Sequence, residues 1–289
     1  MINDIYALFR KTLPDIIRST DTVMEILSDD KNHMICHCDD NVPAGFSVIN
    51  DNVIYLLCVE DQHRNRGIGT LLLKKSEDYI LSKGFENVVL GAGKDYIMPG
   101  VPMNNGAHLF FIKNGYTHSW GDCGCIDMSM ILENYEYHTH FIGEVINGIS
   151  YRWANINDLN KITKLMNEAS EGFAEYYQNS DMYGDSSDTI VLIAEKGDEI
   201  IGAVMVCTEV ERKGTGTLAC LATAQKHRNK GIATTLMKLG TNFLKEKGMR
   251  DVFLGYTYTY IENIYAALGY TVCMEYFKGE KKLFHGSSG

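Results

Sequence analysis

The sequence predicts an α/β protein built from two copies of one folding unit. Two observations support this prediction. Apolar, strand-like runs alternate with helix-like segments along the 289 residues. The order strand, basic glycine turn, helix, glycine, strand, helix and Gly-Tyr also occurs twice, and the turn at Gln62–Thr70 returns at Gln225–Thr234. A chain of this length can form two domains of ordinary size, each with its own core.

The first half contains two predicted helices followed by an antiparallel meander. Apolar residues recur at helical spacing within 2–28, and Pro14 separates the two helices. Short apolar runs between Asp/Asn-rich turns then predict strands. The elements predicted after residue 28 are strands His33–Cys38, Ala44–Ile49 and Val53–Glu60, helix Ile68–Ser82, strand Asn87–Gly91, helix Ala107–Asn114, and two strands that end near Leu132. We expect Gly84 to end the long helix in a left-handed conformation.

The second half repeats this order after residues 133–148, which lack clear periodicity and are interpreted as a linker or a connecting strand. We therefore expect domains at 1–134 and 149–280. Its predicted elements are strand Tyr151–Ala154, a helix capped at Ile156–Asp158 and running to Glu168, hairpin strands Ile190–Glu195 and Ile200–Thr208, strand Leu218–Thr223, helix Ile232–Lys247, strand Val252–Tyr256, helix Asn263–Leu268 and strand Thr271–Tyr276. Gly67 and Gly231 are 164 positions apart, whereas Gly115 and Gly269 are 154 apart. The first half therefore carries an insertion, which we place at Tyr96–Val101.

Each glycine turn follows an apolar strand and opens a long amphipathic helix. The first N–H groups of a helix have no intrahelical partner, and the helix dipole adds partial positive charge there. Glycine at such a turn lets a phosphate approach the backbone. The turns therefore predict a ligand that carries a pyrophosphate.

The composition restricts the kind of partner. The formal net charge of −10 argues against a nucleic-acid partner, which would need a basic surface, and it is compatible with a cationic or amine-bearing substrate. No apolar run is long enough to span a membrane, and residues 1–4 lead into a polar helix without an export signal. We therefore expect a cytoplasmic protein with no membrane partner.

The eight cysteines show no CxxC pair. Two CxC pairs occur, Cys36 with Cys38 and Cys123 with Cys125. Such a pair places both sulfurs on one face of a strand, which suits a tetrahedral metal site poorly. We interpret the cysteines as buried, reduced thiols and expect no metal site.

The two turns and their surroundings resemble the GNAT acetyltransferase superfamily. In that superfamily, the middle strand of a mixed sheet ends at Arg-x-x-Gly-x-Gly/Ala and opens a helix. Arg64-x-x-Gly67-x-Gly69 matches this pattern in the first half, and Arg228-x-x-Gly231-x-Ala233 matches it in the second. The resemblance covers nearly the whole chain. It implies two tandem GNAT-like domains, each a mixed, mostly antiparallel sheet flanked by helices, with acetyl-CoA as a substrate.

The resemblance also implies how acetyl-CoA is bound. Backbone N–H groups of the turn would hold the pyrophosphate, and the preceding strand would pair with the pantetheine arm. In the second half, the residues expected to bind are Leu221, Ala222, Thr223, Arg228, Asn229, Lys230, Gly231, Ile232, Ala233 and Thr234. In the first half, they are Arg64, Arg66, Gly67, Gly69 and Thr70.

A closer resemblance concerns the acceptor. The tandem arrangement and the segments Tyr96–Pro102 and Phe110–Tyr116 are similar to tandem GNAT proteins of bacterial cell-wall amino-sugar salvage, which acetylate glucosamine and glucosaminides. This implies an N-acetyltransferase that acts on the amine of such a small acceptor. An aminoglycoside or protein N-terminal acetyltransferase is one alternative, and a non-catalytic acetyl-CoA-binding sensor is another.

Direct transfer to an amine needs an acid that protonates the leaving thiolate. In the superfamily this acid is usually a tyrosine four residues before the Gly-aromatic end of the last helix, and Tyr265 fits that position. Phe111 holds the matching place in the first half and cannot donate a proton. We therefore expect the second half to be catalytic and the first to be degenerate or supporting. The intact first turn leaves a second acetyl-CoA site open, and Tyr116 or Tyr96 is an alternative acid there.

The sequence leaves the general base open. Glu209, at the end of a strand, is the best candidate within the second half, and a water relay would also serve. An acidic segment could orient an ammonium group or sugar hydroxyls through Glu171, Glu175, Asp181 and Asp185. A group of tyrosines is consistent with a carbohydrate cleft: Tyr176, Tyr177, Tyr183, Tyr256, Tyr258 and Tyr260. Core packing at a period of two explains Tyr256, Tyr258 and Tyr260 equally well.

Overall fold

The computed structural model describes residues 1–92, 97–118, 124–170, 172–184, 187–208 and 210–284. The chain forms two compact units of mixed helices and strands. The first unit comprises Met1–Ile126, Tyr256–Tyr260 and Met274–Gly289, and the second comprises Asp127–Gly255 and Ile261–Cys273. Each unit therefore combines segments that are distant in sequence.

The helices and strands agree with the predicted ones to within a few residues at their ends. β5, α6 and β15 come in addition, and β8 lies within the segment 133–148, for which the sequence predicts a linker or a connecting strand. Up to residue 131 they are α1 (Ile2–Thr12), α2 (Thr20–Ser28), β1 (His33–Asp39), β2 (Val42–Asn50), β3 (Val53–Val59), α3 (Ile68–Ser82), β4 (Asn87–Leu90), β5 (Val101–Pro102), α4 (Ala107–Lys113), β6 (Thr117–His118) and β7 (Cys125–Ile131). The later elements are β8 (Val145–Ile146), β9 (Ile149–Trp153), α5 (Leu159–Ala169), α6 (Phe173–Tyr176), β10 (Thr189–Lys196), β11 (Glu199–Cys207), β12 (Thr215–Thr223), α7 (Ile232–Glu246), β13 (Asp251–Tyr258), α8 (Glu262–Ala266), β14 (Thr271–Phe277) and β15 (Gly279–Lys282). Short 3₁₀ turns at Asp61–His63 and Gln225–His227 precede α3 and α7.

The sheet of the first unit has the strand order β1-β2-β3-β4-β15-β6. β1, β2 and β3 form the predicted antiparallel meander. β3 and β4 are parallel, as a crossover through α3 requires, and they pair at Val53 with Val89 and at Ile54 with Leu90. β15 lies between β4 and β6 and is antiparallel to both. Its sequence is short and charged, so apolar patterning does not predict it.

The strands of the second unit follow the order β14-β7-β13-β12-β11-β10-β9-β8. β9, β10, β11 and β12 are antiparallel neighbours. β12 and β13 are parallel and pair at Thr215 with Asp251 and at Gly216 with Val252. α7 makes the crossover between them, as α3 does between β3 and β4.

Helices cover both faces of the first sheet. Phe46 and Val48 of β2 belong to a core cluster that includes residues of α1 and α2, whereas Ile49 packs with Leu73 and Ile80 of α3. This division follows the alternation of side chains along a strand. Each buried Leu, Ile, Val or Phe side chain stabilises the fold by about 1.5–3 kcal/mol.

Glycines on β2 and β11 let the long helices approach their own sheets. A Cβ at Gly45 would lie 3.1 Å from Leu72 Cδ1 and 3.2 Å from Ile68 Cγ2. A Cβ at Gly202 would lie 2.9 Å from Ile232 Cγ2. Ile68 and Ile232 are the first residues of α3 and α7. These contacts therefore fix where each helix begins above its sheet.

The long helices end in left-handed glycines. Gly84 follows α3 with a φ of 89°, which confirms the conformation predicted for it, and Gly248 follows α7 with a φ of 80°.

Candidate functional site

The two glycine turns have the same backbone conformation. Asn65 and Asn229 have φ values of 60° and 61°, and Gly67 and Gly231 have φ values of 83° and 76°. Asn and Gly adopt left-handed φ more readily than other residues, which explains the sequence of both turns. A Cβ at either glycine would meet no described atom within 4 Å, so conformation rather than lack of space selects glycine here.

Each turn presents a helix N-terminus. α3 begins at Ile68 and α7 at Ile232, directly after the left-handed glycine, and among the described residues no side chain caps either start. The first-turn N–H groups therefore remain available to an anion, which the helix dipole also favours. Both units have the backbone geometry of an anion site.

Arginine side chains fasten both turns to the strands before them. Arg64 Nε donates to the Val59 carbonyl oxygen at 3.2 Å, and Arg228 Nε donates to the Thr223 carbonyl oxygen at 3.3 Å. Arg64 also forms an ion pair with Asp61 at 2.9 Å. The family pattern of an arginine three residues before the glycine therefore has a local structural role in each turn.

β12 carries a bulge shortly before the second turn. The register with β11 shifts between Ala203 and Met205, so Cys220 and Leu221 fall outside the regular ladder, and Cys220 has a φ of 50°. A bulge bends a strand and releases backbone groups from pairing. The pairs with β13 lie at the opposite end of β12, and the strand continues past them to the turn. Backbone groups near Leu221 are therefore placed to pair with an extended ligand.

A buried tyrosine holds this bulge. Tyr177 follows α6, is fully buried, and donates from its hydroxyl to the Cys220 carbonyl oxygen at 2.9 Å. Tyr183 donates from its hydroxyl to the Tyr177 carbonyl oxygen at 2.9 Å. Burial raises the pKa of Tyr177 well above its ordinary value and that of Tyr183 to about 12. Both phenols therefore act as protonated structural donors at neutral pH.

The first unit fills the corresponding region with aromatic rings. A Cβ at Gly69 would lie 3.5 Å from Phe110 Cζ. Phe110 contacts Phe111 edge-on at a centroid separation of 5.1 Å, and Phe111 is 6% exposed. At the same positions the second unit has Ala233 at the start of α7 and the exposed Ile264 on α8. The start of α3 is therefore more crowded than the start of α7.

The first turn also carries a buried carboxylate. Glu60, directly after β3, accepts hydrogen bonds from Lys11 and from Gln62 Nε2, the latter at 2.9 Å. The hydrogen bond from Lys11 lowers the pKa of Glu60, so this group is ionised at neutral pH. The second unit has Ala224 at this position. Lys11 forms an ion pair with Glu60, so the ammonium group compensates the charge of this carboxylate beside the first turn.

Tyr265 and Phe111 differ in exposure as well as in chemistry. Tyr265 lies on α8, is half-buried, and contacts Tyr270 edge-on at a centroid separation of 6.1 Å. Phe111 lies on α4 within a core cluster. A half-exposed phenol can meet a substrate and donate its proton, whereas a phenyl ring has no proton to give.

The tyrosines of the two Gly-Tyr pairs face the long helices. Tyr116 donates to Glu77 Oε1 at 2.9 Å, and Lys281 Nζ donates to the same carboxylate at 2.9 Å. Burial, followed by the charge of Glu77, raises the pKa of Tyr116 far above its ordinary value. In the second unit, the Tyr270 hydroxyl lies 3.4 Å from Thr241 Oγ1. Tyr116 is thus held in a structural hydrogen bond, which argues against it as the alternative acid.

Two regions of the sequence match one known protein family. The sequence matches the Acetyltransferase (GNAT) family over residues 2–97 and 153–270, and these two regions include both glycine turns. The chain is a GNAT acetyltransferase. As a member of this family it is an N-acetyltransferase that uses acetyl-CoA and an acceptor. No curated protein matches the chain.

Solved structures show the tandem GNAT fold at low sequence identity. A glucosamine N-acetyltransferase region of a fungal multi-domain GH3 beta-N-acetylglucosaminidase has a TM-score of 0.76 and 18% identity, over 97% of this chain and 37% of that chain. A GCN5-related N-acetyltransferase from Sphaerobacter thermophilus has a TM-score of 0.73 and 18% identity, over 98% and 93%. A tandem GNAT protein from the clavulanic acid biosynthesis pathway has a TM-score of 0.69 and 13% identity, over 99% and 96%. This chain therefore spans little more than a third of the fungal protein.

In the second GNAT unit, the predicted acetyl-CoA residues form one continuous region from β12 into α7. Ala222 and Thr223 pair with β11, and Leu221 lies in the bulge. The turn residues are exposed: Arg228, Asn229, Lys230 and Gly231. Thr223 Oγ1 is buried and has no hydrogen-bond partner among the described residues. Such a group is uncommon in a folded protein, and this one lies directly before the turn.

Several other predicted GNAT site residues lie outside the described residues: Glu209, Glu171, Asp185 and Tyr96. Glu175 and Asp181 are described and exposed. Of the tyrosines predicted to line a carbohydrate cleft, Tyr177 and Tyr183 serve packing and hydrogen bonding. Tyr258 and Tyr260 of the first unit stack at a centroid separation of 5.4 Å.

One buried carboxyl in the second GNAT unit escaped the sequence analysis. Asp127 of β7 is 7% exposed, and a Cβ at Gly255 of β13 would lie 3.7 Å from its Oδ1. Asp158 is a second buried carboxyl of this unit, and it forms an ion pair with Arg152 at 2.8 Å. The available signal for Asp127 was an acidic residue within the apolar run of β7.

Cavity size does not identify the GNAT site. A cavity of about 480 Å³ lies along the second half of α7, beside Trp153 and Phe243. Another of about 220 Å³ lies in the first unit beside Arg64 and Pro102. Neither cavity is lined by Gly231 or Tyr265. The turn, the bulge and the tyrosine therefore define the candidate site instead.

The described part of the chain contains neither a candidate metal site nor a candidate membrane-spanning helix. Within it, no three His, Cys, Asp or Glu side chains are grouped so that they could hold a metal ion. None of its helices has the length and apolar character needed to cross a membrane.

Cys58, Cys125 and Cys207 are buried, whereas Cys38 and Cys273 are exposed. The expectation of buried thiols is therefore wrong for the last two.

Proposed function

We propose that the second unit transfers the acetyl group of acetyl-CoA to the amine of glucosamine or a glucosaminide. The asymmetry between the two units carries this proposal. The second unit has a left-handed bulge at Cys220 and a half-exposed Tyr265. The first unit has Phe110 and Phe111 in the corresponding region, so we assign it a supporting role.

Acetyl-CoA would be held by the region around the second turn. Backbone N–H groups of Arg228–Thr234 would bind the pyrophosphate, and Leu221–Thr223 would pair with the pantetheine arm. The first turn, with Arg64, Arg66, Gly67, Gly69 and Thr70, has the same conformation and is the candidate for a second site. Phe110 packs against the start of α3 beside this turn, and we therefore propose a single functional site.

The chemistry follows from the groups around the bulge. The neutral amine attacks the thioester carbonyl, so a C–N bond forms and the C–S bond breaks. A backbone N–H that the bulge frees near Leu221 would polarise the carbonyl oxygen. Tyr265 would donate its proton to the leaving thiolate. The proton lost by the amine would pass to a base, for which Glu209 and the buried Asp127 are the two candidates.

Three observations support an amino sugar as the acceptor. The fungal structure that shares this fold is named for glucosamine N-acetylation, and the closer sequence resemblance points the same way. Tyr176 of the second unit is 58% exposed and offers a ring face on which a sugar could stack. We propose a small-molecule partner, no nucleic-acid or membrane partner, and a cytoplasmic location, as the composition predicts.

The test is release of coenzyme A thiol from acetyl-CoA with four classes of acceptor: glucosamine, chitobiose-type amines, aminoglycosides and peptides with a free N-terminus. We expect the highest kcat/KM with glucosamine or its oligomers. Preference for an aminoglycoside or a peptide would overturn the acceptor and leave the reaction intact. Thiol release with none of them would instead favour an acetyl-CoA sensor.

The two candidate bases can be separated in the same assay. Glu209→Gln and Asp127→Asn each remove a carboxylate with little change in volume. Loss of the base should lower kcat and shift the acidic limb of the pH profile, whereas a structural role would leave that limb in place. Glu168→Gln is the matched control, because Glu168 is an exposed carboxylate of the same unit.

A further inference from the structure

The first unit presents two thiols side by side on an edge strand. β1 is the outer strand of its sheet, and it carries Cys36 and Cys38. Their sulfur atoms lie 3.6 Å apart. Cys38 is exposed and Cys36 is half-buried.

The backbone at this pair suits a direct bond between the two sulfurs. Two residues along a strand span about 6.6 Å. Disulfides accept Cα separations of up to about 6.8 Å. The register of β1 with β2 also shifts between His37 and Cys38, where Ala44 of β2 is the extra, unpaired residue. Only a small side-chain movement separates the observed contact from a covalent bond.

We propose that Cys36 and Cys38 form a dithiol–disulfide pair that exchanges reversibly with small-molecule disulfides. The exposed Cys38 thiolate attacks one sulfur of the small disulfide, which forms a mixed disulfide and releases one thiol. The Cys36 thiolate then attacks Cys38 Sγ, which closes the internal bond and releases the second thiol. The protein gives up two electrons and two protons, and the small disulfide gains both.

The surroundings of the pair set the rate of the second step. Burial, followed by the neighbouring Cys38, raises the pKa of Cys36 to about 11. The residues opposite on β2 are Phe46 and Pro43, which carry no charge. Along β1, His37 lies between the two thiols, and Asp39 pairs with His63 at 3.3 Å. Ring closure is therefore slow at neutral pH and faster in alkaline solution, since the thiolate is the nucleophile.

The internal disulfide should change the reactivity of the two thiols and leave the stability of the fold nearly unchanged. It would close a ring over a single intervening residue, so it removes little chain entropy from the unfolded state. The melting temperature should therefore change little between the reduced and oxidised forms. This readout also reports whether treated samples remain folded.

The test uses glutathione disulfide as the probe, at about pH 7 and about pH 9. After an acid quench, remaining thiols are alkylated and the peptide that contains Cys36 and Cys38 is analysed by mass spectrometry. We expect both cysteines to resist alkylation, no glutathione to remain attached, and dithiothreitol to restore both thiols. Ring closure should be about 100-fold faster at the higher pH, in proportion to the thiolate fraction.

Two variants sharpen the result. Cys36→Ser should trap glutathione on Cys38, because the resolving thiol is gone. Cys273→Ser removes an exposed thiol of the other unit and should leave the internal bond unaffected. A lasting glutathione adduct on wild-type Cys38 at about pH 9, with Cys36 still open to alkylation, would overturn the proposal. Alkylation of both Cys36 and Cys38 in the treated wild-type protein would also overturn the proposal.

Discussion

The hydroxyl of Tyr177 donates a 2.9 Å hydrogen bond to the carbonyl oxygen of Cys220, the residue whose left-handed backbone forms the bulge in β12. A side chain that follows α6 thereby sets the course of the strand that leads to the second glycine turn. Tyr183 in turn binds the carbonyl of Tyr177. A segment rich in acidic and aromatic residues thus serves the geometry of the proposed site through its tyrosines.

Tyr177→Phe should lower both stability and turnover. It removes one hydrogen bond and leaves a carbonyl without its partner, so we expect the free energy of unfolding in urea to fall by about 1–3 kcal/mol. The bulge should also lose its fixed position, and kcat should fall while the protein remains folded. Tyr176→Phe is the matched control on the neighbouring, exposed ring. Lower stability with unchanged kcat would show that acetyl transfer does not depend on this anchor.

Tyr265→Phe should lower kcat by about 100-fold or more, which is the usual contribution of a positioned general acid. The KM for acetyl-CoA should change little, because the substitution keeps the ring and its contact with Tyr270. Steady-state kinetics of thiol release measure both constants. Phe111→Tyr, the reciprocal change in the first unit, should leave kcat as it is. A fully active Tyr265→Phe enzyme would remove this residue from the mechanism.

Gly231→Ala and Gly67→Ala form a matched pair. Each places a side chain on a left-handed backbone, so each should lower the free energy of unfolding by about 1–2 kcal/mol. We expect Gly231→Ala to raise the KM for acetyl-CoA as well, because its turn binds the pyrophosphate in our proposal. Gly67→Ala should leave KM unchanged, and calorimetry should give one acetyl-CoA per chain. Two equivalents of bound ligand would instead assign both turns to acetyl-CoA.

Acid should weaken the fold through Asp158. The hydrogen bond from Arg152 lowers the pKa of Asp158 in the folded state. In the unfolded chain, an aspartate has a pKa of about 3.9. The stabilisation that ionised Asp158 provides is therefore fully present above about pH 4, and it is lost as the pH falls through the folded-state pKa of this group. Thermal melting across this range should show a smaller pH dependence in Asp158→Asn. An unchanged pH dependence in that variant would assign the acid sensitivity to other carboxylates.

Features set by a few neighbouring residues could be read from the sequence. The left-handed positions in Asn65–Gly67 and Asn229–Gly231 follow from residue type, and the helices after them follow from apolar periodicity. The match between Tyr265 and Phe111 also needed only the spacing to a Gly-Tyr pair. These are local rules, and they held.

Features that depend on distant contacts could not be read in this way. β15 is a strand because its backbone pairs with β4 and β6, and nothing in Gly279–Lys282 itself indicates a strand. The bulge at Cys220 depends on Tyr177, which lies 43 positions earlier. Asp127 became a candidate only when β7 was placed next to β13. The role of Glu209 stays a prediction.

The position of β15 between β4 and β6 makes the order of synthesis matter for this protein. β6 ends at His118, but the strand that joins it to β4 begins at Gly279, after the whole of the second unit. N-terminal domains usually fold first as they leave the ribosome. Here the N-terminal sheet stays incomplete until the later unit has been translated. The sheet of the first unit is therefore completed last, and during translation the facing edges of β4 and β6 lack their partner strand.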